Sequence, residues 1–225
     1  MTVNIIEGIA PIKRPERTTL RGGRTTLVPL DVAAHGDDLW KGASGPENDT
    51  LWLYLFDGPF AGRLAFDANL RAKELSKDPL FFAILDAGTQ RAVGYASYMR
   101  IEPTHRVIEV GSILFTPALQ RTPGATEAMF LMARYVFEDL GYRRYEWKCD
   151  SRNEPSRRAA TRLGFQFEGI FRQHMIVKGR NRDTAWYSMI DSEWPACKRA
   201  FEQWLAPDNF DADGKQKRSL AALRV

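Results

Sequence analysis

Apolar residues along this chain recur with two different periods, and the switches between them mark out the elements. Met129, Met132, Ala133, Val136, Phe137 and Leu140 repeat at helical spacing, and Gly141 follows as a stop. Ahead of them, Thr122-Pro123 reads as an N-cap and a proline at the first helical position, where a missing N–H costs nothing. The spacing predicts a helix over residues 122–140. A second helix starts at Asn153, carries Ser156 one turn on and stops at Gly164-Phe165. Further helices are predicted over Val32–Ala43, over residues 59–77 with Phe60, Leu64, Leu70 and Leu75 inward, and over residues 192–205. In the last of these Trp194, Cys197, Phe201, Trp204 and Leu205 share one side.

Strand-like runs lie at residues 25–30, Leu80–Asp86, 92–101, Val107–Phe115, Arg144–Asp150, 165–174 and 183–190. Ala87-Gly88-Thr89-Gln90 joins two of them as a hairpin turn, Pro103-Thr104-His105 makes another turn, and Lys178-Gly179-Arg180 turns the last pair. Within Arg144–Asp150 the alternation puts Tyr145, Trp147 and Cys149 on one face. Residues 50–56 are too apolar for a surface loop and too short to classify by period.

The order of parts is an antiparallel meander, a strand–helix–strand crossover, then a helix and a hairpin. Right-handed crossover makes Val107–Phe115 and Arg144–Asp150 parallel neighbours. The predicted fold is therefore α/β of the α+β kind: a mixed, mostly antiparallel central sheet with one parallel pair and flanking helices. Ligands gather beyond the carboxyl ends of parallel strands, which brings the loops 116–122 and 151–154 together. Both following helices open there, with unpaired N–H groups at a positive dipole end suited to phosphate. Residues 1–24 read as a loosely docked arm, 25–205 as the domain, and 206–225 as a flexible polar tail.

Composition narrows the function classes. With 44% hydrophobic and 12% aromatic residues in 225, the chain can bury a sizeable core, so global disorder is excluded. It holds no apolar run of about 18 residues and no signal-peptide pattern at its start, and Cys149 and Cys197 make neither a disulfide framework nor a zinc spacing. The expectation is a reduced, cytoplasmic protein with no membrane or metal partner. The net charge is +4, but residues 143–182 carry eleven Lys/Arg against four acids. That surplus suits a polyanionic small molecule, or nucleic acid, although stacking aromatics of the RNP type are missing and no specific nucleic acid is expected.

The string I-L-F-T-P-A-L-Q-R-T-P-G-A at Ile113–Ala125, the N-x-x-S of Asn153–Ser156, and L-G-F followed by Glu168-Gly169 resemble the GNAT N-acetyltransferases. The resemblance covers about residues 25–195 and is nearest the RimJ/RimL-type branch, whose known members acetylate protein N-termini. It implies acetyl-CoA as cosubstrate, with the pantetheine arm lying in a splay between the two parallel strands. Main-chain contacts then fall to Ile113, Leu114 and Phe115. The pyrophosphate falls to the loop Gln120, Arg121, Thr122, Gly124 and Ala125. The resemblance also assigns Asn153 to a pantetheine amide and Ser156 to the thioester sulfur. In this chain Pro123 replaces the first glycine of the family's loop and withdraws one N–H donor.

Glu109 is a carboxylate inside an apolar strand, where burial raises its pKa, and the RimJ/RimL-like pattern carries a glutamate at this place; it is the candidate base. Its plainer role is partner to an arginine on the next strand. His174 and His105 are weaker base candidates, Cys149 reads as a small buried hydrophobe, and Asp183 and Tyr187 as ties of the last hairpin. By the same resemblance, residues 50–77 and the hairpin at 175–183 wall the acceptor site. The acceptor is a peptide N-terminus or a small amine, acetylated by direct attack in a ternary complex. A non-catalytic acyl-CoA-binding module and an RNA- or ribosome-associated module are the alternatives. Trp194 and Trp204 are candidates for a subunit contact in a homodimer.

Overall fold

A computed structural model describes residue 10 and residues 12–224, so most of residues 1–11 of the expected arm lie outside the described residues. The strands are β1 (Leu20–Arg21), β2 (Thr25–Pro29), β3 (Leu80–Asp86), β4 (Ala92–Glu102), β5 (Val107–Phe115), β6 (Arg144–Asp150), β7 (Gln166–Val177) and β8 (Arg180–Ile190). They form one sheet in the order β1-β2-β3-β4-β5-β6-β8-β7. Every pairing is antiparallel except β5 with β6. That is the mixed sheet with one parallel pair that the crossover requires.

Helices cover both faces. The helices are α1 (Val32–Ala43), α2 (Arg63–Leu75), α3 (Pro123–Arg134), α4 (Glu154–Leu163) and α5 (Trp194–Leu205). β3 shows why two layers are needed, since its run is apolar on both sides. Leu80, Phe82 and Ile84 pack into the core shared with α3 and α5, while Phe81 and Ala83 pack with Leu39, Phe66 and Leu70 of α1 and α2. Thr122 caps α3 by accepting from the Ala125 N–H, and the helix runs on through a π-helical turn at Tyr135–Asp139 before Gly141. Among the described residues no helix is long and apolar enough to cross a membrane.

Several expectations need correction. α2 begins at Arg63, and its buried face is set by Phe66 and Leu70. Leu64 and Leu75 lie off that face and are 86% and 71% exposed. Residues 50–52 close a 3-10 turn at Pro46–Trp52 and residues 53–56 form a loop, with Trp52 buried and Leu53 and Phe56 exposed. β7 and β8 extend to Val177 and Arg180, a longer hairpin than predicted.

Trp194 and Trp204 are interior residues and offer no subunit contact. Trp194 stacks on Phe137 with centroids 5.1 Å apart and donates to Glu138, and Trp204 donates to Gln216. The tail beyond Pro207 packs back on the body. Leu220 and Leu223 join the main core, Asn209 is buried, and Arg224 donates to the carbonyls of Thr161 and Arg162 at the end of α4. The arm is docked over its described length: Arg14 donates to the Ile101 carbonyl, and Glu127 of α3 accepts from the amides of Gly23, Arg24 and Thr25 at 2.7–3.0 Å.

Candidate active site

The parallel pair opens inside the molecule. β5 and β6 pair from Val107↔Arg144 to Val110↔Trp147 and no further, although β5 continues to Phe115 and β6 to Asp150. The cause is local. β5 bulges against β4, with three residue steps from Gly111 to Leu114 set against two from Tyr95 to Ser97, and Ser112 takes a φ of 47°. β6 meanwhile stays registered with β8 to Asp150↔Thr184. The inner edge of Gly111–Phe115 is thus left without a strand partner. A cavity of about 1680 Å³ occupies the wedge and is lined by Gly111–Phe115, Gln120–Pro123, Trp147–Asp150 and Asn153–Arg158. The two loops predicted to meet do meet there.

At the α3 end of the cavity, Arg121 adopts a left-handed φ of 61° just before the helix cap. The amides of Arg121 and Gly124 donate to no other described residue. Those of Thr122 and Ala125 are taken locally, by the Leu119 carbonyl and the Thr122 hydroxyl at 3.3 and 3.2 Å. Pro123 has no N–H and Gly124 does not line the cavity, so the cradle offers the free Arg121 amide plus the exposed Arg121 side chain. Gly124 is buried, and a Cβ there would lie 3.0 Å from Thr25 Cγ2. Gln120 faces its own loop and donates to the Phe115 carbonyl at 3.0 Å. Leu114 is turned into the core, while Ile113 and Phe115 are part-exposed along the wedge.

Asn153 caps α4 by accepting from the Ser156 amide at 3.2 Å. The Ser156 hydroxyl accepts from Trp147 Nε1 at 2.9 Å. Cys149 lies beside Ser156. Burial pushes its thiol pKa up against the pull of Ser156, Arg182 and Arg157, as befits an inert thiol.

Glu109 is 2% exposed and sits at the shoulder of the wedge. Its Oε2 accepts from Arg100 Nη1 at 2.7 Å and from Lys148 Nζ at 2.9 Å. Its Oε1 has no partner among the described residues and lies beside Gly111, where an added Cβ would come within 3.3 Å of it. Burial pushes the Glu109 pKa up, and Lys148 and Arg100 pull it back without cancelling the rise. The arginine partner and the accessible oxygen coexist. Lys148 also reaches Glu146 Oε2 at 2.7 Å, Glu146 meets Arg144, and Arg144 meets Glu168. The resulting row alternates in sign from Arg100 to Glu168.

The loop at residues 52–57 and the β7–β8 hairpin meet beside the cavity. Lys178 at the tip of the β7–β8 hairpin donates to the carbonyls of Trp52 and Asp57, and Tyr54 donates to the Arg152 carbonyl at 3.1 Å. A smaller pocket of about 370 Å³ lies between hairpin and loop. His174 is held at 3.0 Å from the Thr184 hydroxyl among Phe171 and Trp186, and neither it nor His105 lines the cavity. Asp183 accepts from the Gln173 amide inside the hairpin, whereas Tyr187 accepts from Arg157 and ties the hairpin to α4. Among the described residues, Arg144, Lys148, Arg152 and Arg158 form ion pairs, and the other basic residues of the stretch carry its surplus charge.

Sequence reasoning missed Lys148, Trp147 and Arg182. The signal for Lys148 was in view: Arg144, Glu146 and Lys148 alternate with Tyr145, Trp147 and Cys149, so the polar face of β6 is a row of charges one strand away from Glu109.

The Acetyltransferase (GNAT) domain family matches residues 27–166. A GCN5-related N-acetyltransferase from Brucella melitensis superposes with a TM-score of 0.95 at 50% identity, over 97% of this chain and 99% of that one. The immunity acetyltransferase MccE, solved in complex with acetyl-CoA and AMP, shares the fold at a TM-score of 0.64 and 17% identity, over 75% of this chain and 93% of that one. The uncharacterized N-acetyltransferase YoaA of Bacillus subtilis is 31% identical over 102 residues, which span 45% of this chain and 57% of the relative. The wedge, the capped loop and these matches agree, and the chain belongs to the GNAT acetyltransferase family.

Proposed function

We propose that this protein is an acetyl-CoA-dependent N-acetyltransferase that moves the acetyl group to a primary amine by direct attack in a ternary complex. The observation that carries the reading is the open wedge between β5 and β6, with the free Glu109 Oε1 at its shoulder. The unpaired edge of Gly111–Phe115 suits an extended amide-bearing arm that adds like a strand. The free amide and the side chain of Arg121 at the start of α3 suit a diphosphate, which sets the thioester toward Ser156.

In the reaction the amine nitrogen forms a bond to the thioester carbonyl carbon, the carbon–sulfur bond breaks, and the sulfur leaves as a thiolate. The departing thiol is acidic enough, at a pKa of roughly 8.5 by analogy with Cys, that a hydrogen bond from Ser156 suffices to help it. Glu109 Oε1 takes the proton the amine loses, directly or through one water. An α-amine with a pKa near 8 is roughly one-tenth neutral at pH 7, whereas a lysine near 10.4 is neutral in only about 1 part in 2,500. A modest base therefore favours α-amines as acceptors. Holding nucleophile and carbonyl together supplies much of the remaining acceleration.

The test is a titration of the pure protein with CoA, followed by thiol release from acetyl-CoA over a panel of amines. Saturable binding together with amine-dependent release supports the reading; no CoA binding ends it, and binding without release to any amine leaves a non-catalytic acyl-CoA module.

A further inference from the structure

Arg182 is 7% exposed and makes no ion pair among the described residues. Its Nε donates to the Thr184 hydroxyl at 3.1 Å, and its guanidinium lies over the Phe56 ring at 5.3 Å. Neither terminal nitrogen has a protein acceptor, although the residue lines both the main cavity and the smaller pocket beside it. Asp150, on the strand beside it, gives both its oxygens to Arg152. Burial holds the Arg182 pKa below the usual guanidinium value, with Asp150 opposing the shift. Taking a cation out of water without a counter-charge is unfavourable, so a folded protein keeps one when something else supplies the anion.

The backbone aims this side chain deliberately. β7 carries two extra residues opposite β8 between Phe171↔Thr184 and Met175↔Arg182. The bulge is pinned by Asp183, which accepts from the Gln173 amide at 2.7 Å while Gln173 holds a φ of 49°. Bulges of this kind re-aim side chains at sites. Here Arg182 and Thr184 share a face of β8, with Arg182 reaching the cavity that also holds Glu109. Phe56 and Thr184 hold the guanidinium where the main cavity and the smaller pocket adjoin.

We propose that the acceptor is an amine that also carries a carboxylate, and that Arg182 binds that carboxylate while the amine faces Glu109. This rests on the acetyltransferase reading above. The fork matches a carboxylate in bidentate geometry, and the incoming anion supplies the counter-charge the protein leaves out. The carboxylate has two sources: the α-carboxylate of a free amino acid, or an acidic side chain at a peptide N-terminus.

The experiment measures kcat/KM for paired acceptors that differ only in that group. Free amino acids are compared with their carboxamides, and peptides starting with Asp or Glu with those starting with Asn or Gln. The wild-type protein is expected to prefer the carboxylate member about 10- to 100-fold in at least one series, and the series that responds identifies the source. Arg182→Gln brings the ratio close to one, and Arg182→Lys, which keeps the charge without the fork, falls between. A melting curve of each variant shows that it is folded. Equal rates within both series overturn the proposal, as does a preference that survives Arg182→Gln. Transfer confined to amines without a carboxylate overturns it as well while sparing the acetyltransferase reading. Loss of CoA binding in the wild-type protein removes both.

Discussion

Lys148 Nζ lies 2.9 Å from Glu109 Oε2 and 2.7 Å from Glu146 Oε2, so one buried lysine on β6 bridges two carboxylates that face each other across the parallel pair. The ammonium also sits 3.7 Å from the centroid of the Trp186 ring. Its side chain is 4% exposed, which puts the charge in a medium where pairing decides whether it is tolerated. The lysine holds the base candidate at the start of the wedge while leaving its other oxygen free.

Replacing Lys148 with Met leaves two buried carboxylates side by side without their shared cation. Arg100 and Arg144 still pair with the two carboxylates, so the expected cost is about 1–3 kcal/mol of stability, read from urea unfolding. Adding Glu146→Gln removes one of the stranded charges and recovers part of that loss. A double variant no more stable than Lys148→Met alone counts against the bridge as the reason.

Glu109→Gln keeps the shape of the side chain and removes the proposed base. kcat is expected to fall about 10²- to 10⁴-fold with the CoA dissociation constant unchanged. The sign of the pH dependence follows from the raised pKa of Glu109. Activity needs the carboxylate, so the wild-type rate falls as pH drops through a value above the usual carboxylate range, and that limb vanishes in the variant. The same shift favours the protonated form in the folded state. Its contribution to stability is therefore present below the unfolded pKa and lost as pH rises through the folded one. Stopped assays from pH 4.5 to 8 with both proteins decide the matter.

The parts of this site that were legible in the sequence are those written locally. Thr122-Pro123, Asn153, Gly141 and Gly164 place the ends of α3 and α4 because caps and left-handed stops act over a few residues. The apolar runs of β5 and β6, with the crossover rule, gave the parallel pair. Glu109 stood out as a charge in an apolar strand. What stayed hidden depends on partners far along the chain. That Lys148 meets Glu109 follows from register between strands, and that Arg182 reaches the cavity follows from a bulge two residues deep. Leu64 and Leu75 fit a helical period, yet the phase of α2 was set by Phe66 and Leu70 against Trp52 and Leu39.

Ser156→Ala separates two jobs of one hydroxyl. The change strands Trp147 Nε1, whose acceptor it removes. An orphaned donor costs about 1–3 kcal/mol, and a lower denaturation midpoint measures it. The catalytic loss is expected to be smaller, about tenfold or less in kcat, because a thiolate of pKa roughly 8.5 leaves readily even without help. A thousandfold loss with a normal melting curve would instead make Ser156 a proton donor in the rate-limiting step.

The polar composition of residues 207–219 conceals the anchors that come after them. Leu220 is 1% exposed and Leu223 8%, and both pack in the core that α5 shares with the sheet. Arg224 then fastens the end of the chain to the last carbonyls of α4, the helix whose first turn presents Asn153 and Ser156 to the wedge. The tail therefore supports the site from behind. Leu220→Ala is expected to cost about 2–5 kcal/mol, measured by urea unfolding. A mobile segment would show a change within about 0.5 kcal/mol, as surface substitutions do. Because α4 is held at both ends, the weakened variant should also bind CoA less tightly well below its unfolding midpoint, and isothermal titration at 10 °C would detect it.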